Sequence, residues 1–330
     1  MNSSSGVCKA RRISGAATVL ALITSVVACG GSGSGDASQT SLAPASVNIG
    51  LTSGYSSLTA PFMVAFNDYL PAVAKKFNTK FATHGYGNLA LTEAAFFGDT
   101  DQFMINGSGG FATEAIGGQS ILAVSQQSSG PLLVVAAPIK HKDSRGTDVK
   151  AFDGGNWCYL GAGNPTEAAM KGLAAANGLD WSKQNGIAVG AGAAWIPTIT
   201  SGRCDISAMN ADSAATLALK GQGYVVSNLN DPTVQKEIYG GIVMGTILET
   251  KPSFAETHPD LTQALVTAFA QGLLYVQKHA GDANAIYTHT PAEYQSRVSP
   301  EQFAEAWKLV KPTYTSTSGL FDSAQVQVTS

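Results

Sequence analysis

Four short loops concentrate residues able to hold a small polar molecule: Gly54-Tyr55-Ser56-Ser57, Gly107-Ser108-Gly109-Gly110, Gly163-Asn164-Pro165-Thr166 and Asn210-Ala211-Asp212-Ser213. Each follows a strand-like apolar run and opens a helix-like one. At a helix start the first backbone N–H groups lack intrahelical partners and carry partial positive charge, which suits a carboxylate, a sulfonate or a neutral oxygen. Ser, Thr, Asn and Asp are also ordinary helix caps. One such loop argues capping; two facing sets argue a shared ligand. Tyr55, Tyr86 and Trp195 lie in or just after loops and offer an apolar slot with polar tips for a planar ligand. Trp195 carries most weight, because the small residues of Gly190-Ala191-Gly192-Ala193-Ala194 leave room beside it, whereas Phe111 reads as core. His84 sits between a strand and a glycine, as a ligand partner or a satisfied loop histidine. Asp212 reads as a partner for a ligand amine or as an acid at a helix start. The candidate binding set is Tyr55, Ser56, His84, Tyr86, Ser108, Asn164, Thr166, Trp195, Asn210 and Asp212. Glu114 and Glu167 read as solvated helix faces.

Enzyme chemistry is poorly supplied. The five histidines (84, 141, 258, 279 and 289) show no His-x-x-x-His metal spacing, and Gly107-Ser108-Gly109 is not a nucleophile elbow. Gly161-Ala162-Gly163-Asn164-Pro165-Thr166 departs from a dinucleotide fingerprint by its proline. No catalytic set, metal or cofactor is expected.

The elements that must position these loops alternate strand-like and helix-like patterns, the signature of mainly parallel sheets with crossover helices. Strands are expected near 46–52, 79–83, 101–105, 121–126, 132–137, 157–160, 187–189, 206–209, 224–226 and 242–248. A faint repeat aligns Phe97-Gly98-Asp99-Thr100-Asp101-Gln102-Phe103 with Ser201-Gly202-Arg203-Cys204-Asp205-Ile206, each with a glycine expected to close a helix in the left-handed conformation. After Gly240 the pattern turns helical, with a long amphipathic stretch over 259–279 whose core face is expected to pack on the first lobe. The expected fold is α/β and two-lobed: 47–138 and 241–330 form one lobe and 139–240 the other.

The N-terminal stretch reads as a targeting segment. Lys9, Arg11 and Arg12 precede an apolar run ending in Val26-Val27-Ala28-Cys29, similar to a bacterial lipobox. A lipoprotein signal peptide over 1–28, lipidation at Cys29 and a flexible Gly/Ser tether over 29–46 are expected. The protein would then be exported and lipid-anchored on the periplasmic side, at either the inner or the outer membrane. Loss of residues 1–28 leaves 17 Lys and Arg against 23 Asp and Glu, so the formal charge passes from −3 to −6. That argues against a nucleic-acid partner. Cys158 and Cys204 remain as an even pair in an oxidising compartment, and a disulfide between them is expected, with two buried thiols as the alternative.

The ordered motifs resemble one family. A strand from Val47, Gly-Asp-Thr-Asp before Phe103, Gly117-Gly118 before Ile121, Pro131-Leu-Leu-Val-Val, Ser201-Gly-Arg-Cys-Asp and the Pro259-Asp260 helix are similar to type II periplasmic binding proteins of ABC importers. The branch is the NMT1/THI5-like one, with taurine, alkanesulfonate, nitrate and thiamine-pyrimidine binders. The resemblance implies a monomer that captures a small organic ligand, planar or sulfonate-like, between its lobes. It also implies an ABC permease and its ATPase as partners, and crossing strands near Ala137–Lys140 and Tyr239–Gly241 as the hinge. Arg145, Arg203 and Arg297 are the only arginines after residue 28, so the cationic clamps of sulfonate and nitrate binders are thinly represented. The branch also contains thiamine-pyrimidine synthases, but their cysteine-rich motif is absent. An enzyme of that kind, or a ligand-sensing lipoprotein outside transport, is the alternative.

Overall fold

In the computed structural model, the described residues are 43–315 except 53, 163 and 191–193, together with 317 and 319. The expected signal peptide, Cys29 and most of the tether lie outside them. No helix among the described residues is long and apolar enough to cross a membrane.

β1 (Ser46–Leu51) buries Val47, Ile49 and Leu51 on one face, as period-two alternation requires, and pairs in parallel with β2 (Lys80–Gly85) and β3 (Phe103–Gly107). Between β1 and β2 the chain coils continuously over 57–77, a run that includes α1 (Ala60–Val64) and α2 (Leu70–Phe77). Then come α3 (Leu89–Phe97), β3, α4 (Ser108–Ile116) and β4 (Leu122–Gln126). The chain next crosses to a second sheet as β5 (Val134–Pro138), followed by α5 (Lys142–Arg145), β6 (Asn156–Tyr159), α6 (Pro165–Ala176), β7 (Asn185–Ala188), α7 (Trp195–Thr200), β8 (Ile206–Met209), α8 (Ala211–Leu219), β9 (Gly223–Asn228) and α9 (Pro232–Tyr239). It returns as β10 (Thr246–Thr250) and ends in helices α10 (Pro252–Thr257), α11 (Pro259–Lys278), α12 (Ala283–Tyr287), α13 (Ala292–Gln295) and α14 (Pro300–Thr315).

The two sheets share one plan. Their orders are β2-β1-β3-β10-β4 and β7-β6-β8-β5-β9. In each, three parallel strands are followed by an antiparallel strand that has just arrived from the other lobe. This corrects the expected boundary after Pro138: β5 belongs to the second sheet, and the first crossing lies at 127–133 rather than at Ala137–Lys140. The second crossing, at 240–245, overlaps the expected Tyr239–Gly241 and runs four residues beyond it. The two crossing segments pair with each other: Gly245 N donates to Ser128 O at 3.0 Å, and Gly130 N donates to Val243 O at 2.8 Å.

The first lobe's core joins β1 and β3 to the 57–77 run, α11 and α14, through residues such as Phe62, Phe269, Phe303 and Tyr314. α11 lies close on this run because Gly272 has no Cβ; one built there would collide with Pro61 O. α14 also reaches the second lobe, where Leu309 O accepts from Asn228 Nδ2 at 3.0 Å. Cys158 and Cys204 form a disulfide with Cα atoms 5.8 Å apart, in a core cluster that contains Trp195 and Ile199.

Candidate functional site

Loops that follow parallel strands gather at the carboxyl edge of a sheet, where open α/β folds bind ligands. Here the two carboxyl edges meet. Ser57, at the start of the run after β1, donates from N to Asp212 Oδ2 at 3.1 Å and from Oγ to the same oxygen at 2.8 Å. Asp212 lies in the first turn of α8, beyond β8. A second meeting point brings Pro165, the first residue of α6, to within 3.4 Å of a Cβ built on Gly109 in α4. At these two contacts the post-strand loops of the two lobes meet.

The expected binding residues divide sharply in their surroundings. Tyr55 is not an exposed slot wall: it packs in the first lobe's core, stacked on Phe62, and its hydroxyl bonds Thr83 Oγ1 at 2.9 Å. Burial raises its phenol above the ordinary value. Ser108 is buried, its Oγ donating to Met244 O at 2.6 Å and its N to Gly245 O at 2.9 Å, which ties α4 to the returning crossing segment. Asn164 Oδ1 caps α6 by accepting from Thr166 N at 3.0 Å and Thr166 Oγ1 at 2.9 Å, and Thr166 Oγ1 in turn accepts from Leu160 N. Asn210 Oδ1 caps α8 through Ser213 N at 2.8 Å. Of the expected binding residues, Ser56 Oγ and Trp195 Nε1 are buried with no partner among the described residues.

His84, at the end of β2, is held by an acid. Its Nδ1 lies 2.7 Å from Oδ1 of Asp101, which is 1% exposed and precedes β3. Tyr86 stands edge-on to the imidazole, with its hydroxyl 3.4 Å from Nδ1. Partial burial, with Asp101 beside it, pushes the Tyr86 phenol up to about 12. Asp101 fits because Gly50 has no side chain; a Cβ there would stand 2.8 Å from Asp101 Oδ2.

Three features escaped the sequence. Tyr294, in α13, donates its hydroxyl to Asp212 Oδ1 at 3.1 Å. Asp101 was legible as a strand-opening residue but not as the partner of His84. Glu114 is a correction: it is buried rather than solvated, because its face of α4 turns onto the sheet, where Asn106 Nδ2 donates to Glu114 Oε1 at 2.9 Å. Burial, with Glu93 nearby, pushes Glu114 up to about 7. Glu249, in β10, is fully buried with both carboxyl oxygens unpartnered; burial and then the charge of Glu114 push it up to about 9. Glu167 pairs with Lys171 at 2.8 Å. Among the described residues, no group of three or more His, Cys, Asp or Glu is placed to hold a metal.

Comparison with known proteins agrees with this architecture. A protein from Bordetella bronchiseptica RB50 is 19% identical, with a TM-score of 0.69 over 87% of each chain. The alkanesulfonate-binding protein SsuA from Xanthomonas axonopodis pv. citri, solved with MOPS, is 16% identical, with a TM-score of 0.62 over 86% of this chain and 89% of its own. The periplasmic nitrate-binding protein NrtA from Synechocystis PCC 6803 is 12% identical, with a TM-score of 0.61 over 85% and 74%. At such identities the likeness establishes the two-lobed periplasmic-binding-protein fold. No curated protein matches in sequence. The family model described as NMT1/THI5 like matches residues 93–283, more than half of the chain, and the protein belongs to that family.

Proposed function

We propose that this protein is the solute-binding component of an ABC importer. It is tethered to the membrane through lipid on Cys29, closes its two lobes on one small organic molecule, planar and aromatic or sulfonate-like, and presents the closed form to a permease driven by its ATPase. The observation that carries this reading is the meeting of two carboxyl edges, at Ser57–Asp212 and Gly109–Pro165, across a pair of crossing segments. Hinge closure of this kind is the switch by which periplasmic binding proteins act. The 127–133 and 240–245 segments are the hinge, and Trp195, buried with an unpartnered Nε1, is the aromatic contact for the ligand.

A cognate solute raises the melting temperature, because only the folded form binds it, and reduces the radius of gyration measured by small-angle X-ray scattering. Trp195→Ala lowers affinity about tenfold or more, the cost of one buried aromatic contact in a small site. A screen of sulfonates, pyrimidines, aromatic acids and nitrate that moves neither quantity removes the reading. The Asp101–His84 pair favours one second reading, because a buried carboxylate that orients an imidazole is the arrangement of a general base. In that case a solute is turned over, and His84→Ala abolishes turnover while leaving binding intact.

A further inference from the structure

The helical run over 57–77 opens toward the cleft, and its first N–H groups make it a seat for negative charge. That seat is filled from within the chain. Ser57 N lies 3.1 and 3.3 Å from the two Asp212 oxygens, Ser57 Oγ donates to Oδ2 at 2.8 Å, and Tyr294 Oη donates to Oδ1 at 3.1 Å. Ser57 O is held in turn by the Tyr314 hydroxyl at 2.8 Å. Every partner of the carboxylate is a donor, as an ionised acceptor requires. Burial holds the acid's pKa above the ordinary carboxylate value, and these donors oppose the rise without cancelling it.

The post-strand segments 52–59, 84–88, 106–110, 160–166, 189–195 and 209–213 contain no lysine or arginine. Arg297, close in sequence to Tyr294, is exposed and lies 3.6 Å from Glu293. Of the other helix starts, those of α6 and α8 are capped by Asn164 and Asn210, and Ser108 N at α4 is bonded to Gly245 O. Among the described residues, the neutral groups Ser56 Oγ and Trp195 Nε1 are buried without a partner, and so are the acid oxygens Asp101 Oδ2, Glu114 Oε2 and both of Glu249.

We infer that Asp212 is the specificity-determining residue of the cleft. Its carboxylate stands where the acid group of an anionic ligand would be held, so the solute taken is uncharged or cationic and carries neutral hydrogen-bonding groups. The inference rests on the receptor reading and narrows it: a sulfonate or nitrate brought to this seat meets a like charge.

The test uses the full chain in detergent, as wild type and as Asp212→Asn, which keeps shape and removes charge. Differential scanning fluorimetry and titration calorimetry are run with taurine, methanesulfonate, nitrate and benzoate against cytosine, nicotinamide and choline. The expected result is no anion-dependent shift for wild type and a roughly tenfold or larger gain in anion affinity for Asp212→Asn. An anion that binds wild type at least as tightly as the variant overturns the assignment and leaves the receptor reading standing. Anion binding by the variant alone supports the assignment even where wild type takes none of the uncharged or cationic probes. If no probe of either kind binds either protein, both readings fall. Should Asp212→Asn not fold, Tyr294→Phe withdraws one donor from the same carboxylate. It leaves anions excluded under this assignment and admits them under the alternative, in which the seat is governed by its donors.

Discussion

The two lobes repeat one backbone plan, and hydrogen bonds give the register of the repeat. In the first lobe Asn48 N is bonded to the Gln102 side chain, Asn48 Nδ2 to Thr100 O, and Asn48 O to Gln102 N. In the second, Asn156 makes the same three bonds to Asp205, Arg203 and Asp205. Gln102 therefore corresponds to Asp205 and Asp101 to Cys204, one residue off the alignment drawn from the glycines. The left-handed residues agree: Asp99 (φ 62°) corresponds to Gly202 (φ 75°), while Gly98 stays at φ −82°. In the same register Gly50 matches Cys158. One lobe thus lays the Asp101 carboxylate over a bare glycine to hold His84, and the other closes the same two positions with a disulfide. The frame is common to both; the chemistry at this point is divided between a polar, cleft-edge device and a covalent staple.

The staple carries the largest expected effect. Cys158 and Cys204 are 46 residues apart, and cross-linking a loop of that length restricts the unfolded chain enough to contribute about 4 kcal/mol in the chain-entropy model. Reduction, or Cys158→Ala with Cys204→Ala, lowers stability by about that amount in urea unfolding. The loss belongs to the second lobe, so hydrogen exchange accelerates in β6 and β8 before β1 and β3. Uniform acceleration in both sheets would show that the lobes unfold as one unit and would break the comparison.

The matching position in the first lobe is tested by Gly50→Ala. The new methyl group lies 2.8 Å from Asp101 Oδ2 and 3.0 Å from Thr92 Cγ2, so the carboxylate must move. Overpacking of this kind costs about 1–3 kcal/mol. Asp101→Ala removes the clash, and a double-mutant cycle should recover much of the loss. A cycle with no coupling would mean that the glycine serves something other than the Asp101–His84 pair.

Much of this was legible beforehand, for definite reasons. Alternation and helix starts put helices 89–97 and 195–200 and strand 206–209 where they occur: Asn88 and Gly98 bound the first helix, and Asp205 and Asn210 bound the strand. The lobe boundary is hidden in the sequence because Leu132-Leu133 and Ile242-Val243 read as strand. Leu133 in fact packs against the second lobe's core, and the first crossing segment touches α14 where Ser129 N donates to Thr313 O at 2.9 Å. The cleft was harder still. Sequence supplied loops with the right residue types but not the direction of each side chain, so Tyr55 proved to be core and Asp212 proved to face Ser57. Tyr294 lies 82 residues beyond Asp212, and no local pattern joins them.

The smallest effect tests a second difference between the lobes. β10 and β5 are equivalent antiparallel strands, with the same irregularity between Leu248 and Glu249 as between Val135 and Ala136. Glu249 therefore corresponds to Ala136, and the first lobe buries an acid where the second buries a methyl group. Glu249 and Glu114 are pushed up to about 9 and about 7, so the folded chain holds protons there that the unfolded chain releases near 4.5. Their contribution to stability is full below pH 4.5 and is lost as pH rises through 7 and then 9. Glu249→Gln removes the group that resists ionisation and the charge that raises its neighbour. It should stabilise the protein by about 1–2 kcal/mol at pH 8, with little change at pH 5, in urea titrations at the two values. Equal stabilisation at both would mean that the glutamate is disfavoured by shape, not by charge, and that the two lobes differ here only in packing.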